Sequence, residues 1–303
     1  MANKNILYQK SKRIKYILFL LFILSVYSCT EEITIHTDNS EPVIVIYGAL
    51  TDEIKHQSIT IGKSSPYFDN QSNPVISGAI VTITDSNNKV YELIEDGDVL
   101  GLYATATEWA VKEGFTYSLR VEVDFDSDGV KDIYEASTTI LPTIEIDSIS
   151  IVPIRIMGHA NYAVNLYGVE TPGQDFYLCK YTVNDSLVRE KISEYQVLDD
   201  KLFNNQYIDG ITLTFFDDIT EWETDSEENR KRSVYLRSGD KVGLQMSRIP
   251  EGYFNFINQC RRGMNGSNPF FGGPPANITT NISNGGVGYF SGYCINKAET
   301  ITP

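Results

Sequence analysis

Residues 115–123 read FTYSLRVEV, and they carry the most regular pattern in the chain. Apolar side chains occupy every odd position from Phe115 to Val123, and polar ones occupy the even positions from Thr116 to Glu122. Successive side chains of a β-strand point to opposite faces of its sheet. This alternation therefore predicts a strand with one buried face and one face in water.

Further strand signals lie on both sides of this segment. Residues Ile133–Leu141, which end before Pro142, are its expected hairpin partner. Six or seven short strands within about 100 residues are typical of a Greek-key β-sandwich. We therefore predict a sandwich domain over residues 41–142, which resembles immunoglobulin and carboxypeptidase-regulatory modules. Its other strands are expected at Val43–Leu50, His56–Ile61, Ala79–Thr84, Lys89–Ile94 and Leu102–Thr105.

Residues 143–303 are expected to form a second, mostly β domain, so that the protein has an all-β fold. The chain contains 19 tyrosines and 14 phenylalanines, and aromatic residues favour strands. One short helix is predicted at Pro250–Gly263, because proline is tolerated in a first turn and Arg261 and Arg262 suit the negative end of a helix. Gly286–Tyr293 is predicted to be the final strand.

The N-terminal residues predict export and membrane attachment. Residues 1–28 combine five basic residues, no acidic ones and a short apolar run, as secretory signal peptides do. The sequence around Cys29 resembles a bacterial lipobox, which implies cleavage before Cys29 and lipidation of its thiol. Acyl chains would then anchor the protein to a membrane. Residues 29–40 are expected to form a polar tether, and Glu31 and Glu32 resemble an export signal for the cell surface.

Charge and motifs exclude several classes of function. The mature chain would keep 20 basic residues against 40 acidic ones, a net charge of −20, which repels nucleic acids and anionic lipid headgroups. The sequence contains no G-x-S-x-G elbow, P-loop or H-E-x-x-H motif. Acidic pairs such as Asp217/Asp218 are expected by chance among 40 acidic residues. We therefore expect a protein that is not an enzyme.

One acidic segment matches a metal-binding pattern. Residues 124–135 follow the calcium-loop pattern D-x-D-x-D-G-x5-E, in which side-chain oxygens converge on a hard cation and Gly129 permits the sharp turn. The flanking residues predict strands rather than helices, so the segment is either a calcium-binding hairpin tip or an acidic β-turn. The candidate calcium ligands are Asp124, Asp126, Asp128, Asp132 and Glu135.

The cysteines and the C-terminal aromatic residues leave alternatives open. An exported protein can form disulfides, and Cys260 with Cys294 is the pair we predict, since both lie in the C-terminal region. Three free buried thiols, with Cys179 as the third, are the alternative. The aromatic residues between Tyr253 and Tyr293 are expected to form core, with an exposed binding surface as the alternative.

Several short segments occur in order along the chain: Cys29 with its lipobox, Ser64–Phe68, Pro74–Ala79, Gly114–Tyr117, Tyr253–Phe256, Asn268–Phe270 and Gly286–Phe290. Together they resemble a family of Bacteroidetes outer-membrane lipoproteins of unknown function. Genes of that family commonly neighbour TonB-dependent transporters. The resemblance implies a surface-exposed, lipid-anchored protein of the outer membrane that captures substrate for such a transporter. The alternative is a calcium-stabilised structural or adhesion module.

Overall fold

The alternating segment at residues 115–123 forms a strand, as predicted, in a computed structural model of the protein. The structure describes residues 42–64, 74–170, 172–201, 205–222, 234–264 and 278–303. The expected signal peptide, Cys29 and the tether at residues 29–40 lie outside the described residues. Among the described residues, no helix is both long and apolar enough to cross a membrane.

Eight strands form one large sheet in the order β16-β1-β2-β5-β4-β3-β6-β7. The sheet curls until its two edge regions meet: the backbone N–H of Ser283, just before β16, donates to the carbonyl of Glu135 on β7 at 2.8 Å. The result is a nearly closed, barrel-like sheet whose opposite walls face each other as the layers of a sandwich do. The strands are β1 Ile44–Thr51, β2 Ser58–Lys63, β3 Ile80–Asp85, β4 Val90–Glu95, β5 Leu102–Thr105, β6 Thr116–Val123, β7 Asp132–Thr139 and β16 Val287–Tyr293.

Apolar side chains from one face of each strand fill the interior of this first sheet. Leu119 and Val121 of β6 point inward with Ile46 of β1 and Ile59 of β2, and all four are at most 2% exposed. In the antiparallel pair β6–β7, Leu119 lies opposite Ala136. The period of two therefore places one set of apolar side chains in a single core.

The remaining strands form two smaller sheets. The second sheet has the order β11-β10-β15-β17, with β12 also paired to β10, and the third has the order β14-β13-β9-β8. Two helices and a 3-10 turn at Ile192–Glu194 complete the described structure. Their bounds are β8 Glu145–Ile156, β9 His159–Val169, β10 Phe176–Val183, β11 Ser186–Val188, β12 Gln196–Asp199, β13 Tyr207–Asp218, α1 Ile219–Trp222, β14 Tyr235–Leu236, β15 Lys241–Arg248, α2 Glu251–Met264 and β17 Asn296–Ile301.

Strand β10 contributes side chains to two different cores. Tyr177, Cys179 and Tyr181 point into the core between the second and third sheets. Phe176 and Leu178 point the other way, into an aromatic core shared with helix α2 and strand β16. A strand buried on both faces reads as a nearly continuous apolar run, and residues 176–179, Phe-Tyr-Leu-Cys, do so.

The all-β fold is confirmed, and so is the helix predicted at Pro250–Gly263, which the structure places at Glu251–Met264. Two features differ from the expectations. Gly286–Tyr293 is a strand but not the final one, because β17 follows it and pairs with β15. In addition, strand β16, which comes after residue 142 in the sequence, pairs in parallel with β1 of the first sheet. Residues 41–303 form one compact unit. Parallel pairing joins segments far apart in sequence, for which no local pattern exists.

Candidate functional site

The predicted calcium loop is the tip of the hairpin between β6 and β7. Carboxylate oxygens of Asp124, Asp126 and Asp128 lie within 4.8 Å of one another, and all three side chains are exposed. Each of these carboxylates also accepts a backbone N–H bond, such as that from Gly129 to Asp124 Oδ2 at 3.1 Å. Gly129 has a φ of 89°, which is the left-handed region that glycine adopts without strain.

The last two predicted ligands, Asp132 and Glu135, lie at different distances from the tip of the hairpin. Asp132 stays beside the tip, where its Oδ2 accepts the N–H of Phe125 at 3.3 Å. Glu135 lies further along β7, opposite Arg120, and its Oε1 accepts a bond from the guanidinium at 2.8 Å. A strand rises about 3.3 Å per residue, so three residues carry Glu135 about 10 Å from Asp132. The hairpin therefore brings the aspartates together without the glutamate.

A cleft lies between the first and second sheets, and no sequence motif indicated it. Its volume is about 390 Å³. Tyr47 and Ala49 come from the outer face of β1, Lys180 from β10 and Tyr293 from β16. The sequence offers one signal, Lys180 itself, a lysine between the apolar residues Phe176–Cys179 and Tyr181 of β10.

Lys180 is the unusual charge of this cleft. Its Nζ lies 4.2 Å from the centre of the Tyr195 ring and donates to the hydroxyl of Tyr293 at 3.4 Å. Burial, and secondarily the positive charge of Lys55, lower the pKa of Lys180 to about 8. Removing water from an ammonium group disfavours its charged form. Lys180 is therefore a desolvated cation close to its titration point at neutral pH.

The other charged side chains of the described cleft lining are paired. Glu53 accepts bonds from Lys297 at 2.7 Å and from Lys55 at 3.5 Å. The bond from Lys297 is the main cause that lowers the pKa of Glu53. Asp185 pairs with Lys241 on β15. Within the part of the cleft that the structure describes, Lys180 has no carboxylate partner, so its charge is available to a bound anion.

An aromatic floor supports the cleft. The hydroxyls of Tyr47 and Tyr253 are 2.9 Å apart, and Tyr253, on helix α2, is fully buried. Burial raises the pKa of both phenols above the usual range, so both stay protonated. Tyr253, Phe256, Tyr289 and Tyr293 form core, as expected for these C-terminal aromatic residues.

The predicted disulfide between Cys260 and Cys294 is not formed, and both are free thiols together with Cys179. Cys260 packs from helix α2 against the aromatic core. Cys294 belongs to the core of the first sheet. Both cysteines lie in the C-terminal part of the sequence but pack in different cores, and their spacing in the sequence does not indicate this.

Comparison with known proteins gives a family and no function. No curated protein matches the chain. A family model described as a domain of unknown function, DUF4249, matches residues 30–299, which include every described strand except the last two residues of β17. The chain therefore belongs to the DUF4249 family.

Proposed function

We propose that this protein is a non-enzymatic, lipid-anchored protein of the outer-membrane surface that captures a solute for a TonB-dependent transporter. The lipobox at Cys29 supports the anchor, and Glu31 and Glu32 support the outward orientation. The resemblance to lipoproteins encoded beside such transporters supports the partner.

The cleft around Lys180 is the observation that carries the capture function. A cleft of about 390 Å³ is the size of small-molecule sites in proteins. A desolvated ammonium without a carboxylate partner favours a bound carboxylate or phosphate, because charge-assisted hydrogen bonds are stronger than neutral ones. Tyrosines 195 and 293 beside Lys180 supply a flat apolar wall. The solute is therefore proposed to be a small anion with an apolar part.

A pull-down tests the partner. The tagged, lipidated protein is recovered from solubilised outer membranes, and we expect a TonB-dependent barrel to be recovered with it. The matched control is Cys29→Ala, which removes the lipidation site and should reduce the recovery. Recovery of no transporter with the wild-type protein contradicts the proposed partner.

A ligand screen tests the cleft. Small carboxylates and phosphates are screened by thermal shift against the wild type, Lys180→Met and the control Lys112→Met, whose lysine is exposed and outside the cleft. We expect a stabilising anion that acts on the wild type and the control but not on Lys180→Met. An anion that stabilises all three variants equally binds elsewhere and contradicts the assignment of the cleft.

The acidic hairpin tip favours a second candidate function, a calcium-stabilised structural or adhesion module. The convergence of Asp124, Asp126 and Asp128 carries this alternative. Chelator should lower the melting temperature of the wild type, and Asp126→Asn should weaken this effect, whereas the exposed loop variant Asp98→Asn should not. A melting temperature that does not respond to calcium contradicts this candidate.

A further inference from the structure

Three carboxylates meet inside the protein at one end of the second sheet. Glu170 directly follows β9, Asp175 directly precedes β10, and Asp200 directly follows β12. Each of the three offers a carboxylate oxygen within 4.8 Å of the other two. They are 2%, 3% and 1% exposed, respectively, unlike the aspartates of the hairpin tip. This acidic triad is thus assembled by three chain segments and closed to solvent.

Two members of the triad have partners. Asp175 forms an ion pair with Arg248 of β15. Glu170 accepts the hydroxyl of Tyr177 at 2.8 Å and the backbone N–H of Asn205 at 2.7 Å. Tyr177 therefore acts as a hydrogen-bond donor to Glu170.

The third member lacks a partner for one oxygen. Oδ2 of Asp200 is buried and accepts no hydrogen bond from any described residue. A buried carboxylate oxygen without a hydrogen-bond donor is unfavourable, because burial removes its hydrogen bonds to water and no protein group replaces them. The backbone of Asp200 is nevertheless held in place, because its N–H donates to the carbonyl of Asp175 at 3.2 Å.

The charges of the triad do not balance. Among the described residues, one guanidinium, that of Arg248, pairs with this triad, so the three carboxylates and the guanidinium together carry a formal charge of −2. Buried uncompensated charge is strongly destabilising. One divalent cation would neutralise this charge and would also supply a partner for Asp200 Oδ2. An all-oxygen ligand set selects hard cations.

We propose that Glu170, Asp175 and Asp200 bind one hard divalent cation, with Ca²⁺ as the probe. The site is separate from the hairpin tip and independent of the proposed transport function. The cation would join the end of β9 in the third sheet to the start of β10 and the end of β12 in the second sheet. Arg248 and Tyr177 would be positioning residues, which hold Asp175 and Glu170 without contacting the cation themselves.

Calorimetric titration of the full-length, chelator-treated protein tests the site. Asp126→Asn serves as the background, because it weakens the exposed tip. We expect one Ca²⁺ per chain in this background, with a rise in melting temperature. Adding Asp200→Asn should weaken Ca²⁺ binding at least about tenfold while the far-ultraviolet circular dichroism stays unchanged. Binding that persists undiminished in the double variant overturns the proposal.

Terbium luminescence keeps the test decisive if Asp200→Asn does not fold. Tb³⁺ replaces Ca²⁺ at oxygen sites and emits when a nearby tyrosine is excited, and Tyr177 is bonded to Glu170. We expect tyrosine-sensitised emission in the Asp126→Asn background that falls in Tyr177→Phe, although Tb³⁺ still binds by calorimetry. Absence of both Ca²⁺ and Tb³⁺ binding in that background overturns the proposal.

Discussion

Tyr47 and Tyr253 form a hydrogen bond, and removing one hydroxyl should destabilise the protein more than removing the other. This 2.9 Å bond joins β1 of the first sheet to helix α2. Tyr253 is 0% exposed, whereas Tyr47 borders the cleft. Replacing Tyr47 with Phe leaves the Tyr253 hydroxyl buried without its partner, which should lower the free energy of unfolding by about 1–3 kcal/mol.

The opposite substitution should be milder. Tyr253→Phe leaves the hydroxyl of Tyr47, a partly exposed residue that lines the cleft, so we expect water to replace the lost partner and the loss to be about 0.5–1 kcal/mol. The double variant removes both hydroxyls and leaves no buried donor unpaired. Its loss should therefore be smaller than the sum of the single losses, with a coupling energy of about 1 kcal/mol.

Urea denaturation at pH 7, followed by tyrosine fluorescence, measures these differences as shifts in the midpoint at constant m-value. Tyr289→Phe is the matched control, because its ring packs 5.3 Å from that of Tyr253 and its hydroxyl has no hydrogen-bond partner among the described residues. We expect almost no change for this control. Equal losses for Tyr47→Phe and Tyr253→Phe, or strictly additive ones, would refute the reasoning.

Three further predictions concern the backbone, the cleft and the thiols. Gly288→Ala should destabilise the protein by about 3 kcal/mol or more in the same urea assay, because φ is 102° and a Cβ would overlap the carbonyl oxygen of Ile46 on the paired strand. Gly78→Ala, with a φ of 77° and open space around it, should cost only about 1 kcal/mol, and equal losses would contradict this. The folded pKa of Lys180, about 8, lies below its ordinary value of 10.5, so the unfolded chain binds more protons between these values. The free energy of unfolding should therefore rise from pH 8 to pH 10.5 by up to about 3 kcal/mol, and Lys180→Met should lose that rise. Iodoacetamide should modify Cys260, which is partly exposed, before the two buried thiols, and a protein that yields no free thiols after denaturation would contradict the assignment.

Local patterns were sufficient to predict the eight strands of the first sheet. The alternation in residues 115–123 predicted β6 and its buried face, because a period of two needs only neighbouring residues to be read. The short extended piece expected at Leu102–Thr105 is strand β5, with the same bounds. The helix near residue 250 followed from proline and the terminal charges, which act within one turn. The aspartates of the hairpin tip also came together because they are neighbours in sequence.

Long-range contacts were decided only by the tertiary structure. Strand β16 pairs with β1, more than 200 residues away, and this pairing brings Tyr293 beside Lys180 to form the cleft. The acidic triad arises from three separate strand ends in the same way, and no spacing in the sequence indicates it. The calcium-loop pattern includes Glu135 because the pattern is defined by spacing in the sequence. In the structure, Glu135 belongs to the extended strand β7 and lies opposite Arg120, away from the hairpin tip. Sequence patterns report the local period of the backbone, but a binding site depends on which distant segments pack together, and that is set by the burial of the whole chain.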